Sequence, residues 1–405
     1  MSETTHSPDS WVPESLAALR NSLDGTHSPI EFLPGNPAES PGWTLRADVS
    51  PGQAAAIVRT SGSTGTPKQT LLSADALQSS AQATAEALGG HGQWLLTLQP
   101  SYVAGLAVLS RSLMAGTTPV PLLHDTTDPV SFTRAAMRLE SERRYVSLVP
   151  TQLQRLLDHV PADADLAGAL RRFDVILLGG GPSSPALLET AARHGLTVVR
   201  TYGMSETSGG CVYDGRPLPG VRLSAEDSGR VRISGPMVAS GYLGDEDLSA
   251  AHFGRDPDTG LRSFLTDDLG EVDTDPDGQR LSISGRADDV IITGGVKVSA
   301  ARIREALLTH PQVRDAFVGP APDADWGQTV SATVVPHTQD MHSQLQRELQ
   351  ELVRSALGAP ASPKRLIVLN ELPLLANGKP DRQQLLQLLA EDPRQQEREV
   401  TPWQL

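Results

Sequence analysis

A run of polar and small residues, Thr60-Ser61-Gly62-Ser63-Thr64-Gly65-Thr66-Pro67-Lys68, follows an apolar stretch at 54–58. Glycines without a Cβ let a backbone wrap closely around phosphate oxygens. Successive N–H groups and hydroxyls donate to those oxygens, and Lys68 adds a positive charge. The run is not a Walker A sequence, because Pro67 precedes the lysine and no helix can begin from a Gly-Lys-Ser/Thr step. Taken alone, such a run also occurs as an ordinary surface loop.

Four further groups of residues could serve the same chemistry. Gly179-Gly180-Gly181 offers bare backbone against which a purine could lie. Thr201-Tyr202-Gly203-Met204-Ser205-Glu206-Thr207 offers an aromatic face for stacking and a hydroxyl at Thr207, and Glu206 supplies a hard oxygen ligand for a Mg²⁺ carried by phosphates. Carboxylates at Asp267 and Asp268, set at the end of a predicted strand, and Arg286 in Gly285-Arg286-Ala287-Asp288-Asp289 suit a ribose diol. Finally, Asn377-Gly378 predicts a tight turn that projects Lys379. Each group also has a plain reading, as a tight turn, a helix-start carboxylate or a solvated loop.

These residues need elements to hold them. Short apolar runs at 54–58, 94–98, 145–149, 175–178 and 198–201 read as buried strands and alternate with amphipathic helical stretches at 73–88, 105–114, 151–159 and 185–194. That alternation predicts an α/β domain with a largely parallel sheet and ligands at the carboxyl ends of its strands. The first 50 or so residues read as a loosely packed lead-in. After about residue 217 short strands and Gly, Pro and Asp turns predict a β-rich subdomain, and from 286 a compact α+β unit follows.

Composition narrows the function classes. A chain of 405 residues suits two or three domains. Its net charge of −14 disfavours general binding to nucleic acid or an anionic membrane. No stretch reaches the roughly 20 apolar residues of a membrane span, and the start lacks an export leader, so a cytoplasmic protein is expected. Cys211 is the only cysteine, which excludes an intrachain disulfide and predicts a small core or pocket residue.

In this order and spacing the motifs resemble the adenylate-forming superfamily of acyl-CoA synthetases, luciferases and peptide-synthetase adenylation domains, from about residue 54 to 386. The resemblance implies an adenylate-forming ligase fold, in which a large α/β N-terminal domain has mostly parallel sheets and a β-rich subdomain. Residues 1–284 would form that domain, 285–289 a hinge and 290–405 a small mobile α+β C-terminal domain. It further implies that Ser61 to Lys68 hold the β- and γ-phosphates, that Gly180, Gly181 and Tyr202 bracket adenine, and that Thr207 reaches the α-phosphate and Glu206 the Mg²⁺. Asp268 and Arg286 would grip the ribose and Asp288 would be the hinge. Gly294 and Gly295 would face coenzyme A, and Lys379 would stabilise charge at the α-phosphorus. ATP, Mg²⁺, coenzyme A and a small-molecule acid are the implied ligands.

Three departures qualify the resemblance. The phosphate loop begins unusually early, so an N-terminal subdomain is shortened, which leaves the oligomeric state open. Asp267 stands where a glycine is usual, and Tyr102 where a histidine is usual in the segment that leads to the acid pocket. Arg111, within the apolar helical run that follows, either snorkels, forms a structural ion pair or contacts the acid. Within the superfamily, the segments at 101–116, 179–184 and 202–221 are most similar to the ligases that act on o-succinylbenzoate in menaquinone biosynthesis. Another aryl- or acyl-CoA ligase and a free-standing enzyme that loads a carrier protein are the enzyme alternatives. A nucleotide-binding protein without turnover is the alternative of another class.

Overall fold

Strands covered on both faces must be apolar on both, and the central strands here are. In the computed structural model, which describes residues 11–35, 40–60, 68–323, 325–337, 343–374 and 380–391, a seven-stranded sheet runs in the order 216–217, 209–213, 198–204, 175–178, 144–148, 93–96, 120–121. The five strands from 198–204 to 120–121 are parallel and the two at the other edge antiparallel. Trp94, Leu96, Tyr145 and Leu177 enter one core, with Leu77 of helix Ala74–Ala87 and Leu106 and Leu109 of helix Val103–Ala115. Leu95, Val146, Leu148, Ile176 and Leu178, alternate residues of the same strands, enter a second core. That core is closed by Phe132, Leu153, Leu156, Leu166 and Leu187 from four helices on the opposite face. Each such leucine contributes roughly 1.5–3 kcal/mol relative to exposure. The helices begin where the sequence dictates: Ser73, Asp128, Asp163 and Ser184 accept from backbone N–H groups of their first turns.

Three expectations are corrected. The described part of the lead-in is packed, not loose. Helix Trp11–Leu23 buries Val12, Leu16 and Leu19 at helical spacing, and strand Ile30–Phe32 is fully buried. Between them lie only short turn segments, and their Pro, Gly and Ser content masked the buried elements. Second, Ala56–Thr60 does not join the parallel sheet. It lies in a separate five-stranded sheet, pairing parallel with Ile30–Phe32 and antiparallel with Lys68–Leu72. The phosphate-loop run therefore connects the two strands of a hairpin, with Thr60 opposite Lys68. Third, Asp267 and Asp268 lie within the 14-residue strand Arg262–Asp275, not at its end. That strand belongs to a third sheet with Arg222–Ala225, Arg230–Ser234, Phe253–Arg255 and Gly278–Arg286.

By their contacts the described residues divide into two compact units, one of residues up to 266 with 271–282, the other of 267–270 with 283–374 and 380–391. In the second, strands Val313–Asp323, Gly327–Pro336 and Arg365–Val368 form a sheet, with a hairpin of Val290–Thr293 and Val296–Ser299 beside it in sequence. Ile303 and Leu307 of helix Ala300–Leu308 and Leu349 and Val353 of helix Ser343–Leu357 share a core with Val318 and Val334. The hairpin turn is only two residues long, and Gly294 (φ 55°) and Gly295 (φ 80°) supply the left-handed conformations such a turn requires.

Candidate active site

Within the first unit, the carboxyl ends of the parallel strands gather the expected residues. Gly179 follows strand Val175–Leu178, and its N–H donates to the Leu148 carbonyl at 3.1 Å. A Cβ at Gly179 would stand 2.3 Å from Thr201 Oγ1, so only glycine lets this turn lie against the next strand. Gly180 takes φ 82°. Tyr202, half-buried, lies in the next strand, Val198–Met204. Glu206 and Thr207 occupy the short turn that follows, and Ser208 closes it at φ 54°, a conformation that costs a non-glycine residue about 1–3 kcal/mol. The hydroxyl of Ser208 donates to the Met237 carbonyl at 2.8 Å, which holds the strained turn in place.

The carboxylate of Glu206 is buried and accepts the Tyr242 hydroxyl at 2.8 Å. Lys68 lies with its Nζ 5.2 Å from the centre of the same Tyr242 ring. Tyr242 thus links the end of the phosphate-loop hairpin to Glu206, and sequence reasoning missed it. The available signal was a tyrosine in an apolar context, whose hydroxyl needs a partner when buried. Among the described residues no group of three or more His, Cys, Asp or Glu could form a metal cage. A lone carboxylate in this position fits Mg²⁺ bound chiefly through a substrate's phosphates, since that ion commonly takes one or two carboxylates and keeps waters.

Thr207, expected to reach the α-phosphate, has its hydroxyl engaged within the turn. Its Oγ1 accepts from the Met204 N–H at 3.0 Å and donates to the Gly209 carbonyl at 2.8 Å, with the side chain fully buried. Cys211 is buried as expected, and burial pushes its thiol up to about 12, so it is no nucleophile near neutral pH.

Tyr102 stands at the start of helix Val103–Ala115, and partial burial raises its phenol above the ordinary value. The loop before it is pressed onto the helix at Gly105, where a Cβ would fall 2.4 Å or less from the Leu98 and Gln99 carbonyl oxygens. Arg111 is not brought to Tyr102. The helix runs back along the sheet at 1.5 Å per residue, so nine residues carry Arg111 about 13 Å away. It stacks over Trp94, beside Gly90 and Gly92, which lead into the amino end of strand Gln93–Leu96. The expectation that Arg111 contacts the acid followed its closeness to Tyr102 in sequence; among the described residues its contact is the Trp94 ring.

Within the second unit, Asp268, Arg286 and Asp288 come together. Arg286 donates to Asp268 Oδ1 at 3.2 Å and to both oxygens of Asp288 at 2.8 and 3.2 Å. Burial pushes the Asp288 carboxyl up, but the Arg286 hydrogen bond and charge outweigh it and hold the group below the usual carboxylate range. Asp288 sits in a single turn, Ala287–Asp289, after strand Gly278–Arg286. At the Gly294-Gly295 turn lies Trp326, whose backbone carbonyl accepts the Gly294 N–H and whose ring fills the space a Cβ on Gly294 would need. Lys364 Nζ stands 4.1 Å from the Trp326 ring centre. This exposed aromatic and cation, both missed in the sequence, form a surface suited to a flat base carrying phosphate. Ser61, Gly62, Ser63, Thr64, Gly65, Thr66 and Lys379, all expected at the site, lie outside the described residues, as does the side chain of Thr60.

Comparison with known proteins adds an independent line. Residues 14–243 match the family described as AMP-binding enzyme, and residues 303–379 match the AMP-binding enzyme C-terminal domain. A probable 2-succinylbenzoate–CoA ligase of Mycobacterium tuberculosis is 41% identical over 376 residues, which span 93% of this chain and 95% of that protein. Among solved structures, o-succinylbenzoate-CoA synthetase from Bacillus subtilis, in complex with its acyl-adenylate intermediate, is similar with a TM-score of 0.67 and 29% identity over 82% of this chain and 69% of that one. The Bacillus subtilis enzyme in complex with ATP and a magnesium ion gives 0.66 and 28% over 82% and 70%.

Proposed function

This chain belongs to the AMP-binding enzyme family and has the adenylate-forming ligase fold, and from that premise we propose that it joins o-succinylbenzoate to coenzyme A, using ATP and passing through an acyl-adenylate. The observation that carries the reading is the 41% identity to a probable ligase for this acid, sustained over nearly the whole of both chains. The product serves menaquinone biosynthesis.

In the first half-reaction a carboxylate oxygen of the acid attacks the α-phosphorus of ATP, the bond to the bridging oxygen breaks, and pyrophosphate leaves. In the second the coenzyme A sulfur attacks the acyl carbon, AMP leaves, and the thiol proton passes to solvent. Neither half needs a protein nucleophile; both need positioning and positive charge. Lys68 and the loop from Thr60 through Ser61 and Thr66 hold the β- and γ-phosphates, and Gly180, Gly181 and Tyr202 take the adenine. Mg²⁺, when bound, neutralises phosphate charge, and Glu206 is the residue that would hold it, kept in place by Tyr242. Thr207 serves the α-phosphate by fixing the turn that presents Glu206; its hydroxyl reaches a ligand only by leaving the Gly209 carbonyl.

Asp268 and Arg286 take the ribose hydroxyls, for which the Arg286–Asp268 pair must open. Tyr102 borders the acid. Gly294 and Gly295, with Trp326 and Lys364 beside them, present the face for coenzyme A. Lys379 stabilises the charge that develops at the α-phosphorus, and Asp288 is the residue whose backbone turns between the two half-reactions. The reading includes a cytoplasmic enzyme; among the described residues no helix is long and apolar enough to cross a membrane.

Thioester formation with ATP, Mg²⁺ and coenzyme A across a panel of aryl and aliphatic acids tests the substrate. The expected result is a kcat/KM for o-succinylbenzoate at least about 100-fold above benzoate, which lacks the second carboxylate. Equal or better turnover of another acid, or transfer only to a carrier protein, would reject the assignment.

A further inference from the structure

Arg111 is 6% exposed in the middle of helix Val103–Ala115. Among the described residues its Nε has no hydrogen-bond partner, and its guanidinium makes no ion pair. The one compensating contact is the Trp94 ring, whose centre lies 5.0 Å from Cζ. A buried charge ordinarily neutralises, pairs or coordinates, and an arginine does not lose its proton in a protein. A small cavity of about 10 Å³ borders the guanidinium, enough for the centre of one small particle. Thr84, Gly90, His91 and Tyr145 line it with Arg111 and Trp94.

The groups around the cavity favour negative charge within it. The Tyr145 hydroxyl is turned away, donating to the Leu88 and Gly90 carbonyls at 3.1 Å each. The Arg143 guanidinium lies over Gly90, where a Cβ would come within 3.2 Å of its Nη1, and His91 is exposed at the same rim. Asp174, a carboxylate in the strand pairing here, accepts the Arg144 N–H at 2.8 Å. In a chain of net charge −14, Arg111 at the cavity and Arg143 over its Gly90 wall, neither with a carboxylate partner among the described residues, form a local concentration of positive charge.

We propose that this cavity binds one chloride-sized monovalent anion against the Arg111 guanidinium. The anion completes the charge balance of the helix and locks it onto the amino ends of strands Gln93–Leu96 and Arg144–Leu148. The site is separate from the nucleotide-binding turns, so it stands whether or not the acid assignment does.

The test uses the full chain at constant ionic strength, with gluconate, too large for the cavity, exchanged for chloride. The apparent melting midpoint is expected to rise by about 2–5 °C from 5 to 500 mM chloride, roughly the range that a millimolar site would give. The same titration on Arg111→Met is expected to be flat. Crystals of the unaltered protein grown in bromide are expected to show an anomalous peak beside the Arg111 guanidinium, a readout that does not depend on whether the variant folds. A chloride response of equal size in Arg111→Met, or bromide crystals with no peak at Arg111, would overturn the proposal.

Discussion

Replacing Lys379 with alanine is expected to slow acid-dependent pyrophosphate release by about 10²–10³-fold, the usual cost of removing one preorganised charge from a developing oxyanion. Thioester formation from supplied o-succinylbenzoyl-adenylate should stay within a few-fold of the unaltered enzyme. The asymmetry follows from the chemistry. The α-phosphorus becomes five-coordinate only in the first half-reaction, whereas in the second it stays tetrahedral while AMP leaves the acyl carbon. An ammonium that helps only one transition state raises only that barrier when it is lost. The lysine is the last residue of the match to the family's C-terminal domain. Equal losses in both halves would reject the role, and so would an unaltered rate of pyrophosphate release.

Asp288→Pro is expected to separate the halves in the opposite direction. Proline fixes φ near −65°, so a residue that must rotate between two states is held in one. Pyrophosphate release should remain within a few-fold of normal while thioester formation falls about 10-fold or more. The substitution also removes the Asp288 carboxylate, which Arg286 binds through both oxygens. Asp288→Ala separates the two effects, because it deletes the carboxylate and leaves the backbone free. It should retain both half-reactions, apart from a modest change in ATP affinity as Arg286 is released. If Asp288→Ala loses thioester formation as completely as Asp288→Pro, the ion pair and not the backbone rotation is what the enzyme needs there.

Much of this site is legible in the sequence, for a physical reason. Phosphate loops, glycine turns and short carboxylate motifs are local: the residues that make the turn also present the chemistry. Gly179 to Gly181 after one strand and Tyr202 to Thr207 at the end of the next therefore lie where parallel strands end, and the same alternation that marked the strands put Leu95 and Leu96 in different cores. What is not legible depends on long-range pairing. Nothing local tells residues 56–60 to leave the parallel sheet, since that depends on the antiparallel return of Lys68–Leu72 and on strand Ile30–Phe32. Tyr242 reaches Glu206 across 36 residues, and Trp326 covers Gly294 across 32, so neither has a spacing signature. Glu31 is buried between Arg46 and Arg59 in that same five-stranded sheet, in a segment whose composition resembles a loop. Arg111 shows the converse case. Its sequence neighbours suggested the acid, whereas its contact with the Trp94 ring, nine residues along from Tyr102, has no spacing signature.

Isotope exchange between pyrophosphate and ATP, measured without coenzyme A, tests the central claim most directly, because exchange requires that the acid displace pyrophosphate and that the acyl-adenylate reverse. Exchange is expected to need Mg²⁺, to appear on addition of o-succinylbenzoate and to be absent without an acid. No exchange with this acid, or exchange of the same rate when no acid is added, would contradict it.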